Sequence, residues 1–330
     1  MAGPLPVGLP SGSNNDNGRG NGLLLYFHHY SFYSQKVVMA LHEKKLPFKT
    51  HLVNVHKGEQ YDPWFMEINP KGDVPVLKDG VKIIPDSGRI LDYLEDNFTN
   101  GRTPPLIPKD HGIEVRQRVL HFRTLLDQLP VNHITAGSIY HTDLISNPKL
   151  PFVSPFRHML RVSEINQSNY MRKHAENNPK FREILLQRAD LVEKKHESIV
   201  NREEFTKWLN SVETVLVQVE DELASHSTEK TDWWLCSPEF SIADVALTVL
   251  LDRLCCLGLQ ERFWTGGKSP NLDLYFKRVQ NRDSFKKAVP STLIHLQLLL
   301  MMTPRVVGVS TCIVAALAVL VGGYFYVKRK

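Results

Sequence analysis

The segment INPKGDVPVL, residues 68–77, narrows the folds open to this chain more than any other stretch of it. Val74, Val76 and Leu77 have the apolar character of a buried strand, yet Pro75 stands among them with no N–H to give to a sheet ladder. Proline at the entry to a strand suits a cis peptide bond, a deliberate feature where it occurs. Asp79-Gly80 follows, flanked by Val76–Lys78 and Val81–Ile84, and this pair is a strong two-residue hairpin signal. A strand pair therefore opens directly after Pro75.

Around that hairpin the apolar spacing gives Leu23–Phe27 as a strand, Gln35–Lys45 as a helix and Phe48–Val55 as a second strand. Trp64, Phe65 and Ile68 suggest a short helix, and Ser87–Phe98 a longer one with Ile90, Leu91 and Leu94 on one side. Strand, helix, strand, helix, hairpin, helix is the order of a thioredoxin-like mixed sheet. After the Pro-rich link Thr103–Pro108 the chain becomes helical. Val115, Val119, Phe122, Leu126 and Leu129 mark one helix; Trp208, Val212, Val215, Leu216, Val219 and Leu223 mark a second. Ile242, Val245, Val249 and Leu250 mark a third, and Leu272, Tyr275, Phe276 and Val279 a fourth. Between Leu129 and Trp208 lies a long insert. It opens as a loop with Pro148, Pro151 and Pro155 and continues through charged sequence with a thin apolar stripe at Phe181, Leu185, Leu191 and Ile199. Unstructured loops of that length are rare in compact domains, so long helices projecting from the bundle are expected. Their charge suits either a solvated face or a partner-docking arm.

The formal charge of +5 is spread through interleaved acidic and basic residues, without the dense basic patch of a nucleic-acid binder. Cys236, Cys255, Cys256 and Cys312 form no C-x-x-C pair, which argues against a zinc site or a disulfide framework and for a reducing compartment. Cys255 and Cys256, within LDRLCCLGL, read as core packing. Residues 1–22 are rich in Gly, Pro, Asn and Ser and read as a disordered leader without a secretory or transit signal. At the other end, Val306–Val327 carries 22 residues without a charge, between Arg305 and Lys328-Arg329-Lys330. As a helix it extends about 33 Å, against a bilayer core of about 30 Å. Tyr324 and Tyr326 near one end fit an interfacial belt. The run is expected to be a transmembrane tail anchor holding the bulk of the chain in the cytosol, and 288–305 a hydrophobic juxtamembrane segment.

INPKGDVPVL, then PDS at 85–87 and RILDYL at 89–94, resembles the N-terminal domain of theta-like glutathione transferases, and FSIADV at 240–245 resembles the capping box of their helical domain. With YSFYSQKVV, PWFMEINPKGDVPVL, WWLCSPEFSIADV, the insert and the apolar terminus, the chain is similar in detail to the ganglioside-induced differentiation-associated protein 1 family. The resemblance implies a thioredoxin-like domain over 23–100 and an all-helical transferase domain over 110–287, with the insert at about 130–207. It also implies the mitochondrial outer membrane, with a peroxisomal pool open, and an influence on mitochondrial fission. A homodimer is admitted, as are protein partners for the insert.

The same resemblance implies a glutathione site. Val74 beside Pro75 would offer its backbone to an extended tripeptide, Asp86 and Ser87 would meet the γ-glutamyl end, and Ser31 would hold the thiolate as the catalytic residue. Three departures weaken that site. Asp73 and Gln60 stand where related enzymes place Lys and His against the glycyl carboxylate, and Asp86 is one methylene shorter than the usual Glu. A lost charge-assisted hydrogen bond is worth about 1.5–3 kcal/mol, so glutathione is expected to bind weakly or not at all. In plainer structural terms, Ser31 or Ser34 caps the first helix, Pro75 shapes a turn, Ser87 caps the helix after the hairpin, and His28, His29 and Tyr33 are loop residues. A working glutathione-dependent transferase acting on apolar electrophiles is the rival reading.

Overall fold

The computed structural model describes residues 22–99, 103–226 and 232–302. The leader, apart from Gly22, and the apolar run 306–327 lie outside these residues. Among the described residues no helix is long and apolar enough to cross a membrane.

Four strands form one sheet in the order β2-β1-β3-β4: β1 Leu23–Phe27, β2 Phe48–Leu52, β3 Val76–Asp79 and β4 Lys82–Pro85. β1 runs parallel to β2, while β3 lies antiparallel to both β1 and β4. Gly80 closes the expected hairpin at φ +59°, a conformation glycine adopts at little steric cost. Alternation along β1 and β3 divides the core between two faces. Leu23, Leu25, Phe27 and Leu77 join the main core, beneath α1 (Phe32–Glu43) and α3 (Ser87–Asn97). Tyr26, Val53, Phe65 and Val76 pack on the opposite face under α2 (Pro63–Ile68). The thioredoxin-like arrangement expected from the sequence is present.

The helical half comprises α4 (Gly112–Asp127), α5 (Val131–Tyr140), α6 (Ser154–Ile165), α7 (Gln167–Glu176), α8 (Arg182–Val200), α9 (Arg202–His226), α10 (Ile242–Leu257), α11 (Gln260–Phe263), α12 (Pro270–Val279), α13 (Asp283–Ala288) and α14 (Thr292–Met302). The central helix, α10, starts at a capping box in which Ser241 and Asp244 satisfy each other's backbone N–H groups. Asp244 also accepts from Leu235 N and Tyr275 Oη, both at 2.8 Å, so one carboxylate knits three segments. α5 meets α9 at Gly137, where a Cβ would stand 2.3 Å from the Phe205 ring.

The insert departs from expectation. It begins with a helix, α5, rather than a loop, and its helices do not project. α7 and α8 fold back onto the thioredoxin-like half, where Met171, Ala175, Phe181, Leu185 and Ala189 bury against Tyr61 and Met66. Gln167 Nε2 donates to Tyr61 Oη, and Lys180 pairs with Glu67 at 3.1 Å. Of the apolar stripe, Phe181, Leu185 and Ile199 are buried, whereas Leu191 is exposed.

Candidate functional site

Strand register brings the predicted positions to one end of the sheet. Phe27 lies beside Leu52, Tyr26 opposite Val76, and Val76 opposite Pro85. The segments leaving β1 and β2, entering β3 and leaving β4 therefore gather at a common edge. They carry Ser31, Gln60, Val74-Pro75 and Asp86-Ser87 respectively.

The Val74–Pro75 bond is cis, as the sequence implied. Among the described residues neither the N–H nor the C=O of Val74 is hydrogen-bonded, which leaves both open to an extended chain. Asp86 caps α3 through Oδ1, accepting from Gly88 N at 2.9 Å and Arg89 N at 3.2 Å. Its backbone is held at φ +75°, a strained conformation for a residue with a Cβ. Ser87, buried at the first position of α3, finds no hydrogen-bond partner for its hydroxyl among the described residues.

Two positions behave otherwise. Gln60 is buried, and its amide donates inward to Val55 O at 3.3 Å instead of presenting itself at the cleft. Asp73 is not a bare carboxylate facing an incoming anion: Arg188 of α8 grips it through two hydrogen bonds, at 2.8 and 3.3 Å. The carboxylate is part of a neutralised pair, with the docked insert on top of it.

Ser31 caps α1, its Oγ accepting from Ser34 N at 3.2 Å. That contact uses the hydroxyl oxygen and leaves its hydrogen free to donate. Ser31 also lines a pocket of about 190 Å³ with His28, Tyr30, Val55, His56, Thr135, Pro151, Phe152, Phe156, Leu160 and Arg253. Val74, Pro75, Asp86, Ser87 and Gln60 do not line it.

His28 stands in the loop between β1 and α1, as expected, but it is buried. It is 2% exposed, and burial, together with His56, His29 and Arg253, pulls its pKa down to about 3. Burial lowers His29 and His56 as well. Tyr33 lies within α1 rather than in a loop. No imidazole is hydrogen-bonded to Ser31 among the described residues, so none is placed to take its proton. Arg253 and Arg188 were not singled out from sequence. Arg253 had one legible signal, a cation inside the apolar run of α10; Arg188 had none, because its partner lies 115 residues away.

Residues 25–102 match the family model for the glutathione S-transferase N-terminal domain. Ganglioside-induced differentiation-associated protein 1-like 1 of Homo sapiens is 34% identical over 290 residues, which is 86% of this chain and 77% of that protein. The glutathione S-transferase TCHQD of Arabidopsis thaliana is 28% identical over 268 residues, 80% of this chain and 88% of that one. Among solved structures, a beta-etherase from Sphingobium sp. strain SYK-6 aligns with a TM-score of 0.58 at 21% identity, covering 81% of this chain and 98% of its own. Ure2p in complex with glutathione aligns at 0.55 and 18% identity, over 81% and 98%. At those identities the solved structures speak for the fold, which is glutathione transferase-like, with its thioredoxin-like sheet and helical second half. With that fold and a sequence relationship running along most of its length, the chain belongs to the ganglioside-induced differentiation-associated protein 1 family.

Proposed function

We propose that this is a tail-anchored, glutathione transferase-like protein of the mitochondrial outer membrane, its bulk facing the cytosol, that regulates the dynamics of the mitochondrial network. The carrying observation is the uncharged run Val306–Val327 bounded by Arg305 and the basic end Lys328–Lys330. A peroxisomal pool is compatible with the same anchor. The altered glycyl end of the tripeptide cleft supports a role in which transferase chemistry is vestigial or specialised. Asp73 is committed to Arg188, Gln60 faces inward, and α7–α8 lie over that edge. The outward sides of the insert helices expose Val162, Ile165, Tyr170, Ile184, Leu191 and Val200; these are the proposed contact surface for protein partners. Deletion of 306–330 tests the reading. The truncated chain is expected in the cytosol, without effect on mitochondrial shape, and retained mitochondrial residence would refute the proposal.

A glutathione-dependent transferase remains the second reading, favoured by the free hydrogen on Ser31 and the open backbone of Val74. Calorimetric titration of the full-length chain with glutathione separates the two. Micromolar binding, with turnover abolished by Ser31→Ala, would establish the enzyme.

A further inference from the structure

The pocket behind Ser31 contains a cation that plays no part in the proposed function. Arg253 lies near the C-terminal end of α10 and is 6% exposed. A guanidinium carries five N–H donors, and a buried one is ordinarily matched by a carboxylate. Here the acceptors are neutral: Tyr30 O at 2.7 Å and Thr135 Oγ1 at 3.4 Å. Among the described residues no carboxylate lies within ion-pair distance of it; the adjacent, partly buried Asp252 acts on it only at longer range, without a hydrogen bond. The rings of Phe32 and Phe152, centred 6.0 and 5.6 Å from its guanidinium carbon, hold the cation in place.

The remainder of the pocket is shaped for an apolar body. Val55, Pro151, Phe152, Phe156 and Leu160 form its far wall. At about 190 Å³ it is slightly larger than a cavity of about 150 Å³ that accepts benzene. One ring, or a short branched chain with a small polar head, fills it. The α1 N-terminus at Ser31 adds backbone N–H groups that favour negative charge. His28 and His56 are held neutral by burial, so they add no second cation.

We infer that this pocket binds a compact apolar molecule bearing a single carboxylate, seated with its carboxylate on Arg253 and its hydrocarbon against Phe152, Phe156 and Leu160. The inference goes beyond the membrane-dynamics reading and holds whether or not glutathione binds, since the pocket excludes Val74, Asp86 and Ser87. It defines the class of any second ligand placed beside Ser31.

The probe is phenylacetate, with uncharged phenylacetamide as its near-isostere. Each is titrated by calorimetry into the full-length chain in phosphatidylcholine nanodiscs, with empty nanodiscs as the blank. Phenylacetate is expected to bind at least about tenfold more tightly than the amide. Arg253→Met, similar in volume but uncharged, is expected to erase that preference. Leu160→Trp fills the far wall without touching the cation and is expected to abolish binding of both molecules. Equal affinity for acid and amide, an acid preference that survives Arg253→Met, undiminished binding to Leu160→Trp, or no binding to the native chain would each overturn the inference. If Arg253→Met does not fold, the comparison of acid with amide and the Leu160→Trp variant decide the matter.

Discussion

Asp86 holds a backbone conformation that glycine would adopt freely, while its side chain satisfies two N–H groups at the start of α3. Replacement separates the two effects. Asp86→Ala removes the cap and keeps the strain, and is expected to lower stability by about 1–2 kcal/mol; Asp86→Gly removes both and should lose only a few tenths. Urea unfolding measures the difference. His28 makes stability depend on pH. Its pKa in the folded protein, about 3, lies below the ordinary 6.5, so the unfolded chain takes up the proton first as pH falls. The stability that neutral His28 contributes is complete above pH 6.5 and is lost toward pH 3, by at most about 1.4 kcal/mol per pH unit. The unfolding midpoint is expected to fall through that window, and His28→Asn to flatten the slope. His29 and His56, also lowered by burial, supply what slope remains. Single residues were legible where chemistry is local, as with the cis bond before Pro75 and the Ser31 cap; the cap of α3, expected at Ser87, falls instead to Asp86 one residue earlier. The partner of Asp73 was not legible, because the group that neutralises it arrives from a distant helix.

Among the elements, the α7–α8 hairpin changes what the insert can be. Of the stripe only Phe181 and Leu185 reach this contact, too few to suggest a core; they suffice because Met171, Ala175 and Ala189 join them and Tyr61 and Met66 provide the other half. That complement was hidden: Met66 reads as part of a short helix, and nothing local reveals that a second layer covers it. The hydrophobic contact outweighs the charges around it. Lys180–Glu67 is exposed and worth at most about 1 kcal/mol, and Arg188–Asp73 is half-buried on the arginine side only, whereas Leu185 is wholly buried. Leu185→Ala is expected to weaken the docking by about 2–5 kcal/mol, with faster proteolysis between α7 and α8 as its first sign. Elsewhere the elements were readable, because helices such as α9 and α10 carry their period and, at Ser241 and Asp244, their cap within one stretch.

Across the molecule, the link and the two halves are held by polar contacts as well as by a shared core. Lys44, wholly buried at the end of α1, meets Glu95 of α3 at 2.6 Å and also donates to Pro104 O. Glu95 in turn accepts from Leu106 N and Ile107 N, fastening the Pro-rich link. Breaking such a buried pair leaves a charge without its partner. Lys44→Met is expected to lower stability by about 3–5 kcal/mol, and adding Glu95→Gln to restore part of it, since an amide still accepts both N–H groups; chemical denaturation of the three variants compares them. A second tie runs from Glu43 to Arg282 and Ser284. A third joins Tyr30 to His295 of α14, hydrogen-bonded and stacked with ring centres 5.3 Å apart. The last described helix thereby rests on the wall of the Ser31 pocket. Lifting that helix and loosening the turn after β1 become a single opening event, so amide protons of residues 28–31 and 292–297 should exchange with solvent in step, and His295→Ala should release both together.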